Sequence, residues 1–175
     1  MAEPTGKSLI GRMLEPPPPV LTALRALLDQ HGVAYRLVHH APTYTSEESA
    51  QARGEELRIG AKALLIKTDD LFRLFVISAA RKIDSKAIKS SLKCRSIRFA
   101  TSAELLELTG LVPGSVPPFG RPILPFDLYA DPSVFENDKV AFNAGSLTDS
   151  IVMGAEDYRA VAGPWILCLA LPDHP

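Results

Sequence analysis

The sequence predicts one domain of the α+β or mixed-sheet kind, and three observations carry that expectation. The first is the run Gly60-Ala61-Lys62-Ala63-Leu64-Leu65-Ile66-Lys67, followed by Phe72-Arg73-Leu74-Phe75-Val76-Ile77-Ser78. Asp69-Asp70 lies between them as turn chemistry, so the pair reads as a β-hairpin. The second is Val20, Leu21, Leu24, Leu27 and Leu28, which recur at helical spacing. The third is the mixture of short strand and short helix signals through the rest of the chain. It argues against a doubly wound sheet. At 175 residues the chain is one domain with a substantial core.

Taken in order, residues 1–19 read as a disordered or extended lead, because Pro16 to Pro19 favour polyproline II. Gly6-Lys7-Ser8 is no phosphate loop: the motif's first glycine would fall on Met1, and no strand precedes it. The first helix ends at Gly32 as a C-cap. Val33 to Val38 alternates as a strand. Thr45 and Glu48 form a capping box for a helix over 46–53 that stops at Gly54. After the hairpin, Asp84 caps a basic helix, Ser85 to Leu92, and Ser96 to Phe99 is a short strand. Ser102 caps a helix from Ala103 to Leu108. Residues 111–120 hold three prolines and two glycines, which form neither helix nor central strand and imply a shaped, functional loop. Phe126 to Tyr129, Lys139 to Phe142 and Ser150 to Met153 read as strands. Asp131-Pro132 opens a helical turn, and Asn143 to Ser146 is a small-residue turn. Ala155 to Ala160 is a helix, and Trp165 to Leu169 is a last strand or a docking tail.

The composition, 46% hydrophobic and 22% charged with a net charge of −1, is that of a soluble globular protein without a global field for nucleic acid. Charge is nevertheless local. Arg81, Lys82, Lys86, Lys89, Lys93, Arg95 and Arg98 stand against one nearby acid, Asp84. Such a patch holds a phosphate-bearing ligand, or is simply a solvated helix face. Cys94 and Cys168 belong to no CxxC pair or zinc spacing. Cys168, in an apolar run, is expected to be buried and inert. Cys94, although flanked by Lys93 and Arg95, is not expected to act as a nucleophile. Trp165 to Leu171 is too short to span a bilayer, and the N-terminus has no apolar signal core. The expected setting is the cytoplasm, without membrane.

Lys62 shares a strand face with Leu64 and Ile66. It is either a surface lysine at a strand end or a cation aimed into a cleft. Together with its surroundings it resembles the YbaK/ProRS-associated family of aminoacyl-tRNA editing domains. The match runs from about His31 to Tyr158. It comprises His40-Ala41-Pro42 with Thr45-Ser46-Glu47-Glu48, the Gly60 to Lys67 strand, Lys82-Ile83-Asp84-Ser85-Lys86, the loop from Thr109 to Gly120, and Phe142-Asn143-Ala144-Gly145, all in the family's order.

The resemblance implies a compact α/β domain, residues 20–175, whose mixed, curved sheet is flanked by short helices. It implies a trans-editing enzyme that hydrolyses the ester of a mischarged tRNA without a metal or other cofactor. The family's strand lysine matches Lys62, and its GxxxP loop matches Gly114-Ser115-Val116-Pro117-Pro118. An activated ester needs a water or ribose hydroxyl as nucleophile, and donors for the developing oxyanion. No GxSxG elbow is present. Lys62 and Gly114 are therefore the expected catalytic elements, with backbone N–H groups from Gly114 to Val116 or from Ala144-Gly145. Ser115, Val116, Pro118, Ala144 and Gly145 shape the substrate site. Asn143 holds a water or the substrate amine, or is only a turn residue. His40 lines the pocket, or is structural. Lys82 and Lys86 contact tRNA phosphates.

The expected substrate is a tRNA carrying a small amino acid such as serine, threonine or alanine. A synthetase or elongation factor is a candidate partner, and an exposed strand edge could support a homodimer. Two competing readings are a non-catalytic tRNA- or aminoacyl-adenosine-binding module and a small-molecule hydrolase or sensor.

Overall fold

A computed structural model describes residues 19–172. Apart from Pro19, the expected lead lies outside the described residues. Pro19 itself opens helix α1 (Pro19–Gln30), since its missing N–H costs nothing in a first turn. Leu21, Leu24 and Leu28 are its buried stripe. Gly32, at φ 65°, then turns the chain, and the Val33 N–H returns to the Leu28 carbonyl at 3.1 Å.

The strands form two sheets. The first has the order β1 (Tyr35–His39), β7 (Asp149–Gly154), β6 (Lys139–Asn143), all antiparallel. The second runs β4 (Ile97–Phe99), β2 (Ala61–Thr68), β3 (Leu71–Ser78), β5 (Leu128–Ala130), β8 (Trp165–Ile166). It is mixed, because β5 and β8 join in parallel. The mixed α/β class therefore holds, but the single curved sheet is resolved into two. They touch where Gly60 bridges Ala141 in parallel. Helices α2 (Ser46–Arg53), α3 (Ser85–Leu92), α4 (Ser102–Thr109) and α5 (Ala155–Ala162) complete the elements used below.

The hairpin forms as its sequence demands. Thr68 pairs with Leu71, which leaves Asp69 and Asp70 as a two-residue turn. Asp69 takes φ 51°, and its carboxylate accepts from the Ser96 and Arg95 N–H groups at 2.9 and 2.8 Å. Those hydrogen bonds, Ser96's first, hold its pKa below the usual carboxylate value. The two faces of the hairpin part company by the two-residue period. Ala61, Leu65, Leu74 and Val76 enter the main core with Leu24, Phe142, Ile151 and Tyr158. Ile66, Phe75 and Ile77, with Leu64 partly buried, pack under Ile88 of α3 and Leu169 of the C-terminal segment.

Several boundaries move for identifiable reasons. Thr101, not Ser102, caps α4, because its side chain accepts from Glu104 N–H while Glu104 bonds back, a complete capping box. The expected strand at Phe126 starts only at Leu128, since the Phe126 N–H turns back to the Leu124 carbonyl at 2.9 Å. Trp165 to Leu169 is both alternatives at once. Trp165–Ile166 pairs with β5, and Leu169 is fully buried with its N–H 2.6 Å from Asp131 Oδ2. Turning Leu169 inward turns Cys168 outward, so Cys168 is exposed, contrary to expectation. The shaped loop is clamped by Tyr158, whose hydroxyl donates to the Pro118 carbonyl at 2.7 Å. Phe119 packs against Tyr158 and Phe142 with centroids 5.4 and 5.5 Å away.

Candidate active site

The site exists because β2 is only half paired on one edge. Strand β4 covers Ile66, Lys67 and Thr68, and among the described residues no strand flanks the edge from Ala61 to Leu64 on that side. The start of α2, the Gly114–Val116 loop and the end of β6 surround this open stretch. They enclose a cavity of about 630 Å³. Its rim carries Tyr44, 74% exposed, with exposed Glu47, Lys62 and Lys82. Its floor is made of Thr43, Ser49, Arg53, Ala61, Ala141 and Asn143, all buried. Gly60 lets the floor close: a Cβ there would stand 2.8 Å from Ala79 Cβ, whose own N–H reaches the Gly60 carbonyl at 2.7 Å.

A hydrogen-bonded network fixes the floor. Arg53 Nε donates to Ser150 Oγ at 2.9 Å, and Arg53 Nη2 donates to Asn143 Oδ1 at 2.9 Å. Ser150 Oγ lies 3.0 Å from Asn143 Oδ1 and 2.8 Å from His40 Nε2. Asn143 Nδ2 donates to the Gly114 carbonyl at 2.7 Å, which ties β6 to the loop. Burial pushes the Arg53 pKa down to about 10, although the charge of Glu55 works the other way. The guanidinium is still charged at neutral pH.

The structure brings together Lys62, Lys82, Gly114, Val116 and Asn143 around the cavity. The other expected residues lie behind it. His40 reaches the network only through Ser150. The buried Ser115 spends its hydroxyl on the Val112 carbonyl at 2.7 Å. Pro118 is buried and offers its carbonyl to Tyr158. Ala144 is fully buried, and a Cβ on Gly145 would press within 2.6 Å of Val20 Cβ. Lys86 is exposed on α3, outside the lining.

The expected N–H donors also divide. Those of Ser115, Ala144 and Gly145 are spent on the carbonyls of Val112, Asp149 and Ser115. Among the described residues the N–H groups of Gly114 and Val116 have no such partner. Both line the cavity, and Gly114 holds φ 86°, a conformation suited to glycine.

Sequence reasoning missed the role of Arg53 and the cavity position of Arg81. The signal for Arg53 was its register: Ser49, Ala50 and Arg53 form the buried stripe of α2, so its arginine points inward. The lining thus holds four cations, Arg53, Lys62, Arg81 and Lys82, and one carboxylate, Glu47. It favours a ligand with anionic or carbonyl groups. Among the described residues no group of three His, Cys, Asp or Glu side chains is placed to hold a metal ion.

Comparison with known proteins defines the class first. The chain shares its fold with the crystal structure of a candidate trans-editing enzyme for prolyl-tRNA synthetase. The TM-score is 0.77 at 24% identity, covering 90% of this chain and 100% of that one. The aminoacyl-tRNA editing domain matches residues 40–161, and the chain belongs to that family. It is 37% identical over 147 residues to the multifunctional Ser/Thr-tRNA deacylase ProXp-y of Escherichia coli, covering 81% of this chain and 87% of the relative. It is 24% identical over 144 residues to the prolyl-tRNA editing protein ProX of Acetoanaerobium sticklandii, covering 79% and 88%. No helix among the described residues is long and apolar enough to cross a membrane.

Proposed function

We propose that the chain is a cytoplasmic deacylase that acts in trans on tRNAs mischarged with small amino acids, serine and threonine foremost, and hydrolyses their ester. The observation that carries this is the cavity itself: a small polar floor, a cationic rim at Lys62 and two unspent N–H groups on one loop. In this reading the floor holds the amino acid, because the ester it carries must lie beside Lys62 and the loop N–H groups. The Glu47 carboxylate is the lining's one partner for the α-ammonium. Asn143 is poorly suited to that task, since its Oδ1 already faces both Arg53 and Ser150. Similarity to ProXp-y supports the choice of serine and threonine.

In the reaction a water oxygen, or a water assisted by the neighbouring ribose hydroxyl, attacks the ester carbonyl carbon. The carbonyl oxygen becomes negative near the Gly114 and Val116 N–H groups and the Lys62 ammonium. The bond to the ribose oxygen then breaks, and that oxygen takes the proton. Free amino acid and uncharged tRNA leave. In this scheme the charge is met by protein groups rather than a metal, so exhaustive chelation leaves the rate unchanged. Lys82 and Lys86 guide the phosphates of the acceptor end, and a synthetase or elongation factor presents the tRNA.

The test is a deacylation panel with tRNAs charged with serine, threonine, alanine, cysteine and proline. Hydrolysis of the serine or threonine esters, lost in Lys62→Ala, is the expected result. Binding of tRNA without hydrolysis of any ester would make the chain a non-catalytic module instead.

A further inference from the structure

Among the described residues no carboxylate is in contact with the buried cation Arg53, although the charge of Glu55 acts on it from further away. Arg53 is 8% exposed, and its two bonded nitrogens meet only neutral acceptors, Ser150 Oγ and Asn143 Oδ1. The nearest acid in sequence, Glu55, is held at 2.9 Å by both Arg36 and Lys139. The charge therefore depends on these neutral acceptors and on what the cavity side offers it. Its third nitrogen, Nη1, makes no hydrogen bond among the described residues. Nη1 lies 3.9 Å from where a Cβ on Gly60 would stand, and Gly60 and Arg53 both line the cavity. A rigid guanidinium, pinned through two of its nitrogens, therefore keeps a donor for whatever occupies the floor.

The occupant's chemistry follows from depth and charge. The ester and ribose lie towards the rim, beside Lys62 and the loop donors. An α-ammonium is repelled by Arg53 and has Glu47 at the rim. The side chain of the amino acid is what remains to reach the floor. Thr43 Oγ1 and Ser49 Oγ bond each other at 2.8 Å and leave a small polar space there. A side-chain hydroxyl is small enough, and its oxygen accepts from Nη1.

We infer, on the strength of the deacylase reading above, that Arg53 is the specificity-determining residue: Nη1 donates to the side-chain hydroxyl of a bound seryl or threonyl group. An alanyl or valyl group leaves that donor unanswered in a buried site, and is rejected for that reason rather than for size. Valine and threonine have nearly the same shape, so the pair separates the two causes.

The experiment measures affinities of amide-linked seryl-, alanyl-, threonyl- and valyl-adenosine, which cannot be hydrolysed, for wild type and Arg53→Gln. Glutamine keeps an amide for Ser150 and Asn143 but ends short of the Nη1 position. Wild type should prefer seryl over alanyl, and threonyl over valyl, by about tenfold or more. In Arg53→Gln both preferences should fall to within about threefold, with the alanyl and valyl affinities little changed. Equal loss for all four analogues, or preferences that survive the substitution, would overturn the assignment. If the variant does not fold, the wild-type ratios still decide, since values near one leave no hydroxyl recognition to explain. Deacylation of Ser-, Thr- and Ala-tRNA is run beside it. A wild type that hydrolyses none of them overturns the deacylase reading, while the analogue ratios go on to decide the role of Arg53.

Discussion

The side-chain amide of Asn143 donates to the carbonyl of Gly114 at 2.7 Å, so the end of strand β6 holds the loop that presents the two unspent N–H groups. On its other side Asn143 accepts from Arg53. Asn143→Asp separates these two jobs. A carboxylate still accepts from Arg53, now as an ion pair, but it faces the Gly114 carbonyl with an oxygen. The melting temperature should hold or rise, while kcat/KM for deacylation should fall about 10- to 100-fold as the loop shifts. A variant as active as wild type would show that the loop needs no such tether.

Lys62 lies on the open half of β2 and is exposed, so its removal should cost little stability. Lys62→Ala should lower kcat/KM about 10²- to 10³-fold, the usual effect of losing one group that meets a developing oxyanion. Thermal unfolding recorded on the same sample should match wild type. A large loss of stability would mean that the lysine serves the fold.

Lys82 lines the cavity, and Lys86 is exposed on α3. If both meet phosphates, each alanine substitution should reduce the slope of log affinity against log salt by about 0.7–0.9. Titrations of uncharged tRNA at several salt concentrations give that slope directly. An unchanged slope would place the acceptor end elsewhere.

Gly60→Ala should destabilise the protein by about 1–3 kcal/mol, because the new methyl meets Ala79 Cβ at 2.8 Å and the Leu57 carbonyl at 3.2 Å. The backbone there has an ordinary negative φ of −60°, so crowding alone is the cause. Denaturant unfolding measures it. Activity should fall with stability, since β2 carries both Gly60's neighbour Ala61 and Lys62.

Asp131 supplies a pH-dependent part of the stability. Burial alone would raise its pKa, but hydrogen bonds from Ser133, Leu169 and Ala170 outweigh it and hold the pKa below 3.8. Its contribution is therefore complete above pH 3.8 and is lost as pH falls through the lower, folded-state value. Asp131→Ala leaves the Leu169 and Ala170 N–H groups without their acceptor and should lose about 1–3 kcal/mol at pH 7. The gap in stability between wild type and variant, measured by urea unfolding, should narrow as pH falls below 3.8.

Local chemistry was legible wherever a few adjacent residues decide the outcome. The Asp69-Asp70 turn, the Thr45/Glu48 box, the Asp84 cap and the C-cap glycines Gly32 and Gly54 all formed as read. Misreadings came where neighbours competed or where a distant segment intervened. Thr101 outbid Ser102 because Glu104 stands three residues after it. Cys168 faces out because Asp131, far away in sequence, captures the Leu169 N–H. Lys62, Gly114, Val116 and Asn143, singled out from short motifs, line the cavity, whereas the N–H groups of Ser115, Ala144 and Gly145 are used within the fold.

The sequence by itself determined the α/β class, the helix and turn boundaries set by capping and turn residues, and the family, since periodicity and motif order are properties of neighbours along the chain. The tertiary structure alone decided that the strands split into two sheets, and that β4 stops short and leaves half of β2 open. It alone gave Arg53 its acceptors, Asn143 and Ser150, residues 90 and 97 positions away. A buried charge finds its acceptors only after distant strands have packed, and no local pattern encodes which hydrogen-bond donors remain unspent when they have.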